Sequence, residues 1–185
     1  MPKLEDLKAE LLPLIKKHAH IKLPEPIKLS SGKMSDQYFD GRKITLHPQG
    51  ITLFARAILE MIKPADFDAV GGPSLGADPI ATAVSIFAFL DRKIKLPAFL
   101  IRSVQKPYGL QKQVEGAELK PGMTVLIVED VMTTGKSIRS AIEVVEQTGA
   151  KVGQIICLID RNEGGREALA SYQLSPLFTK DEIGA

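Results

Sequence analysis

The run Val125-Leu126-Ile127-Val128-Glu129-Asp130-Val131-Met132-Thr133-Thr134-Gly135-Lys136-Ser137 holds the residues best suited to chemistry in this sequence. Four apolar residues read as a buried strand, two carboxylates follow, and a turn of small residues then opens a helix. Such a turn presents successive backbone N–H groups at a helix N-terminus, which suits a phosphate monoester. Thr133, Thr134 and Ser137 add hydroxyl donors, and Gly135 lets the backbone approach closely. Carboxylates make no sense as phosphate ligands. Glu129 and Asp130 are expected instead to accept from the vicinal hydroxyls of a ribose that carries the phosphate. They would also stabilise positive charge developing at its anomeric carbon. The plainer reading is an acidic capping turn, since Asp and Thr cap helices well. Directly after four apolar residues, the phosphate reading is favoured. Gly135-Lys136-Ser137 is also the tail of a Walker A loop, but that loop needs a glycine where Asp130 stands, so a P-loop is excluded. Gly71, Gly72 and Gly76 likewise miss the dinucleotide G-x-G-x-x-G spacing.

The elements that must position this run can be read from its flanks. Leu4, Leu7, Leu11, Leu14 and Ile15 recur at helical spacing and predict an opening amphipathic helix, ended by Pro24 and Pro26. Ile27-Lys28-Leu29 is expected to be a short strand before the polar turn Ser30-Ser31-Gly32-Lys33. A helix with Ile51, Phe54, Ile58 and Ile62 on one face should follow Pro48-Gln49-Gly50. Ala69-Val70-Gly71-Gly72, residues 97–101, 125–128 and 154–159 are expected strands. Residues 78–90 and 137–147 are expected helices, with Pro79 in the first turn of the former. Residues 103–115 are polar, contain Pro107 and Gly109, show neither period, and are expected to form a long mobile loop. Apolar strands alternating with helices predict an α/β fold with a mostly parallel sheet flanked by helices. Ligands in such sheets sit beyond the carboxyl ends of the strands. Residues 71–76, Arg102 onward, residues 129–137 and Asp160-Arg161 all fall there.

Bulk properties exclude several classes. The chain has 185 residues, enough for one domain with a sizeable core. A formal charge of +2 gives no case for bulk nucleic-acid binding, and the absence of tryptophan argues against a base-stacking platform. Cys157 is the one cysteine, so an internal disulfide is impossible; within an apolar strand it reads as packing. No apolar run is long enough to span a membrane, no targeting segment is legible, and a cytoplasmic location is expected. No His/Cys/Asp cluster has the spacing of a metal held tightly by protein ligands. His18, His20 and His47 read as structural.

With those residues in view, the sequence resembles the type I phosphoribosyltransferases. The run 125–137 is similar to their diphosphate-sugar signature. Leu29-Ser30-Ser31-Gly32-Lys33-Met34-Ser35-Asp36-Gln37-Tyr38-Phe39-Asp40, continued by Thr45-Leu46-His47-Pro48, resembles the hood segment of the orotate phosphoribosyltransferases. Gly71-Gly72-Pro73-Ser74-Leu75-Gly76-Ala77-Asp78-Pro79-Ile80 resembles their diphosphate loop, and Asp160-Arg161-Asn162-Glu163-Gly164-Gly165 their downstream arginine and Glu-Gly-Gly turn. The likeness spans roughly residues 27–170. It implies one phosphoribosyltransferase domain over residues 1–185, with a small N-terminal hood formed mainly by about residues 1–45 together with C-terminal residues.

The resemblance further implies transfer of the 5-phosphoribosyl group from phosphoribosyl diphosphate to orotate, giving orotidine 5′-monophosphate and diphosphate. It implies Mg2+ carried largely by the diphosphate. It also implies a homodimer in which the loop 103–115 of one subunit covers the other's site. No nucleic acid or membrane partner is expected. With no decarboxylase segment before Ala185, a fused bifunctional form is not expected. Phosphoribosyl diphosphate should be bound by Arg102, Lys106, Tyr108, Glu129, Asp130, Val131, Met132, Thr133, Thr134, Gly135, Lys136 and Ser137. Asp130, Lys106 and Glu129 are the expected catalytic residues, Asp130 the strongest. Orotate should meet Thr133, Arg161, Tyr38 and Phe39, with arginine apt for its carboxylate. The plain alternatives are a surface salt bridge for Arg161 and simple core for Tyr38 and Phe39.

The loop departs from the family pattern Arg-Lys-x-x-Lys-x-His-Gly. Ser103 replaces its lysine and Tyr108 its histidine, while Arg102, Lys106 and Gly109 match. Serine cannot supply a cation to a leaving diphosphate. A low-activity paralogue, or a regulator that senses phosphoribosyl diphosphate, therefore stands beside the enzyme. A purine phosphoribosyltransferase is disfavoured by the hood and the Arg161 turn.

Overall fold

The computed structural model describes residues 2–28, 32, 34–102 and 113–184, apart from the side chains of Ile27 and Lys28. The opening helix, α1 (Leu4–Leu14), buries Leu7 and Leu11 and continues through a π-helical turn, Ile15–Ala19, that buries Ile15 and Ala19. The four lie at successive i+4 spacing on one stripe, which fixes the face turned inward.

The chain then departs from expectation. Strand β1 (His20–Lys28) begins at once and runs through Pro24 and Pro26. It pairs antiparallel with β2 (Met34–Phe39), and its register slips between Lys22 and Ile27. Both prolines lie in that irregular stretch, where a missing N–H breaks no ladder bond.

Among the described residues the main sheet has six strands in the order β5-β4-β3-β6-β7-β8. Its members are β3 (Ala69–Pro73), β4 (Ala98–Ile101), β5 (Val114–Gly116), β6 (Thr124–Met132), β7 (Lys151–Asp160) and β8 (Phe178–Thr179). All neighbours are parallel except β5, which pairs antiparallel with β4. The C-terminal end of the expected loop is thus an edge strand, and residues 103–112 lie outside the described residues.

Helices cover both faces. After a one-turn α2 (Arg42–Thr45), α3 (Pro48–Met61) starts on a His47 cap, whose Nδ1 accepts from the Gly50 amide at 3.3 Å. On one face α1, α3 and α4 (Ala77–Arg92) pack over Leu126 and Val128 of β6. On the other, α5 (Lys136–Gln147) lays Ile138, Ile142 and Val145 over Val125 and Ile127. Alternation along one strand therefore feeds two cores, and each buried Leu, Ile or Val contributes about 1.5–3 kcal/mol. Cys157 lies fully buried within β7, opposite Glu129. The short α6 (Gly165–Ala168) and α7 (Lys180–Ile183) complete the chain, and Ile183 joins the core that holds α1. Among the described residues no helix is long and apolar enough to cross a membrane.

Candidate active site at the strand ends

Glu129 and Asp130 do not follow β6; they lie within it, because backbone pairing continues to Met132 opposite Asp160. Pairing is blind to side-chain charge, so the ladder carries both acids out to the sheet's edge. Glu129 is buried, accepts from the Ser137 hydroxyl at 3.1 Å, and accepts from the Asp130 amide at 3.2 Å. Burial first, and the charge of Asp130 next, push it well above the usual carboxylate range. Asp130 is half-buried and accepts from the Val131 amide at 2.7 Å.

Two glycines bracket this pair. A Cβ at Gly76 would collide with Glu129 Oε1 and stand 2.8 Å from Asp130 Oδ1; one at Gly41 would stand 2.8 Å from Asp130 Cβ and Oδ2. The bare backbones let the loop after β3 and the turn between β2 and α2 close on Asp130 from two sides. The Ser74–Leu75 peptide in that loop is cis, and the Ser74 hydroxyl donates to Asp78 at 2.8 Å.

Beyond Met132 the chain turns through Thr133, Thr134 and Gly135, the last at φ +74°, into α5. Arg139 is the first amide taken up, by the Gly135 carbonyl at 2.9 Å. The amides before it in the first turn have no helical carbonyl to reach. They face a cleft of about 490 Å³ lined by residues 133–137 together with Val131, Pro73, Ser74, Arg102 and Gln113. A helix N-terminus opening on such a cleft is an anion site. The Ser137 hydroxyl is engaged with Glu129, which leaves its amide to the cleft. Arg102 is exposed, with Nη1 3.8 Å from Glu115 Oε1. Lys106 and Tyr108 lie outside the described residues.

One strand over, Arg161 is 4% exposed, too deep for the surface salt bridge that was its plain alternative. Its amide donates to the Met132 carbonyl at 3.0 Å, which ties the end of β7 to that of β6. Its Nη2 donates to the Gln37 carbonyl of β2 at 3.3 Å, and its guanidinium stands 5.7 Å from the Phe39 ring. Phe39 is buried in the core and stacks on His20 at 5.0 Å. Tyr38 is half-buried and, by strand alternation, takes the opposite face. Phe39 and Arg161 are thus brought together, while Tyr38 is turned from them. Thr133 lines the cleft, which opens on the β3–β4 side of β6; Glu129, Asp130 and Arg161 are not among its lining residues. Among the described residues no group of three or more acids, histidines or cysteines could hold a metal ion.

The sequence places Gly76 and Asp160 at the ligand edge and Glu163 in the Glu-Gly-Gly turn without giving them a role, and nothing in it singles out Gly41 or Arg166. Asp160 is fully buried, and its Oδ2 accepts from Arg166 Nε at 2.7 Å. A buried carboxylate at a strand's end, next to an arginine of interest, was the available signal.

The chain matches the family model for the phosphoribosyl transferase domain over residues 42–176. It is 39% identical to the orotate phosphoribosyltransferase of Streptomyces avermitilis, covering 98% of this chain and 99% of that one. It is 41% identical to that of Aquifex aeolicus, covering 92% of each. It is similar to the crystal structure of Mycobacterium tuberculosis orotate phosphoribosyltransferase in complex with 5-phospho-alpha-D-ribosyl 1-diphosphate. There the TM-score is 0.78 at 31% identity, covering 97% of this chain and 99% of that one.

Proposed function

Because the chain belongs to the orotate phosphoribosyltransferase family, we propose that the strand-end cleft is where it joins orotate to phosphoribosyl diphosphate. The chain is a pentosyl transferase of pyrimidine biosynthesis. In its reaction the bond from the ribose anomeric carbon to diphosphate breaks and one to a ring nitrogen of orotate forms, giving orotidine 5′-monophosphate.

The observation that carries the residue assignment is the convergence at one edge of a helix N-terminus, an acid pair and a buried arginine. The amides of residues 133–137 hold the 5-phosphate. Asp130, set between two glycines, receives the ribose hydroxyls and opposes the positive charge that grows at the anomeric carbon. Glu129, buried and bonded to Ser137, tethers the first turn of α5 to β6 and sets the field at Asp130. Arg161 meets the carboxylate of orotate and Thr133 its ring. Arg102 and Lys106 oppose the charge of the leaving diphosphate, and the Tyr108 hydroxyl donates to one of its oxygens. Mg2+ fits this donor set as an ion that enters on the diphosphate, since the described residues build no cage of their own. When bound it neutralises diphosphate charge. The pair β1–β2, with α1 and C-terminal residues, is the hood, and the body completes one domain. Two chains form a homodimer in which segment 103–115 covers the partner's site, working in the cytoplasm.

The test mixes protein, orotate, phosphoribosyl diphosphate and magnesium and follows orotate's ultraviolet absorbance. Turnover is expected. Its absence alongside tight phosphoribosyl diphosphate binding would instead support the sensing regulator that Ser103 raises as the alternative. Asp130→Asn should lower turnover about a hundredfold while calorimetric binding of the phosphate is held. Equal losses would contradict the role given to Asp130.

A further inference from the structure

Resting on the reading of Arg161 as the base's partner, we propose that Glu163 is the residue that positions Arg161 and so sets selectivity for a carboxylated pyrimidine. The turn after β7 is built for it. Asp160 accepts from the Asn162 amide at 2.9 Å and from Arg166 Nε at 2.7 Å. Asn162 at φ +55° and Gly164 at φ +94° then fold the chain back, so residue 163 returns to the flank of residue 161. Glu163 Oε1 comes to 3.0 Å from Arg161 Nε, with the two side chains 10% and 4% exposed.

The Nε–H does not point along that contact, and Nε is a buried donor without a hydrogen bond. The pair is therefore held by charge, and a donor is left over. The Gln37 carbonyl takes Nη2 on one side, and the Phe39 ring lies beside the cation on another. The guanidinium is thus neutralised, oriented and incompletely satisfied before any ligand arrives. That is the state a fork must be in to meet a planar carboxylate. Without Glu163, the buried cation loses its ion-pair partner and is driven to turn away toward solvent.

The test is steady-state kinetics on the full chain carrying Glu163→Gln, Glu163→Asp or Arg161→Gln. Glu163→Gln keeps the shape and removes the charge. It should raise the KM for orotate about tenfold while kcat and the KM for phosphoribosyl diphosphate change less than about twofold. Glu163→Asp, which keeps the charge, should restore most of the orotate KM. An orotate KM in Glu163→Gln that is unchanged or lower overturns the proposal, since Glu163 would then be inert or a competitor of the substrate. Calorimetric orotate binding below each variant's melting temperature separates positioning from stability. An unchanged orotate KM in Arg161→Gln removes the base-subsite reading itself, which is a different failure.

Discussion

A methyl group at residue 76 would meet the acids of β6 before anything else. Gly76→Ala should therefore displace Glu129 and Asp130 together, lowering stability by about 1–3 kcal/mol and turnover with it. Thermal melting beside the absorbance assay checks this; an unshifted melting point would show that the loop yields freely. Glu129 gives a second prediction at this scale. Its raised value means the folded chain keeps a proton that the unfolded chain has lost. Its contribution to stability is whole below the unfolded glutamate range and is lost as pH rises through the folded value. From roughly pH 4.5 upward, Glu129→Gln should gain melting temperature relative to the parent. A constant difference across pH would contradict the burial argument.

The elements legible in the sequence were those whose apolar residues repeat over several turns or fill a strand. They are α1, α3, α4, α5 and the apolar stretches of β3, β4, β6 and β7. Their boundaries were less legible: β6 outruns its apolar stretch because β7 pairs with its backbone regardless of the acids. The end of β1 at Ile27-Lys28 was legible, but two prolines hid the rest of it, and β5 is only three residues long at the end of a polar stretch. β8, α6 and α7 are too short to show any period. The site was legible in the same graded way. The acids and the turn announce themselves by type, whereas Gly41 and Glu163 matter through contacts that only the fold creates. The segment 103–112 lies outside the described residues, and its chemistry can be tested directly. Ser103→Lys supplies the cation that the family pattern carries at this position and should raise kcat several-fold. An unchanged or lower kcat would show that this loop is tuned without it.

At the scale of the whole molecule, the proposed sharing of each site between two chains predicts complementation. Asp130→Asn and Lys106→Ala should each be nearly inactive alone. Random mixed dimers should recover about a quarter of parental activity, because one site in each hybrid has both intact residues. No recovery after verified subunit exchange would place loop and acids in the same chain. The protein also carries its own gauge of occupancy. Cys157 is its one thiol, it lies fully buried in a central strand, and burial raises its pKa. A soluble thiol reagent reaches it when the sheet opens, so the labelling rate counts openings. Phosphoribosyl diphosphate at one hundred times its Kd should slow that labelling about a hundredfold. Labelling at the rate of a free thiol, with or without substrate, would contradict the burial. A residue with no part in the reaction thereby becomes a clock for how often the empty enzyme comes undone.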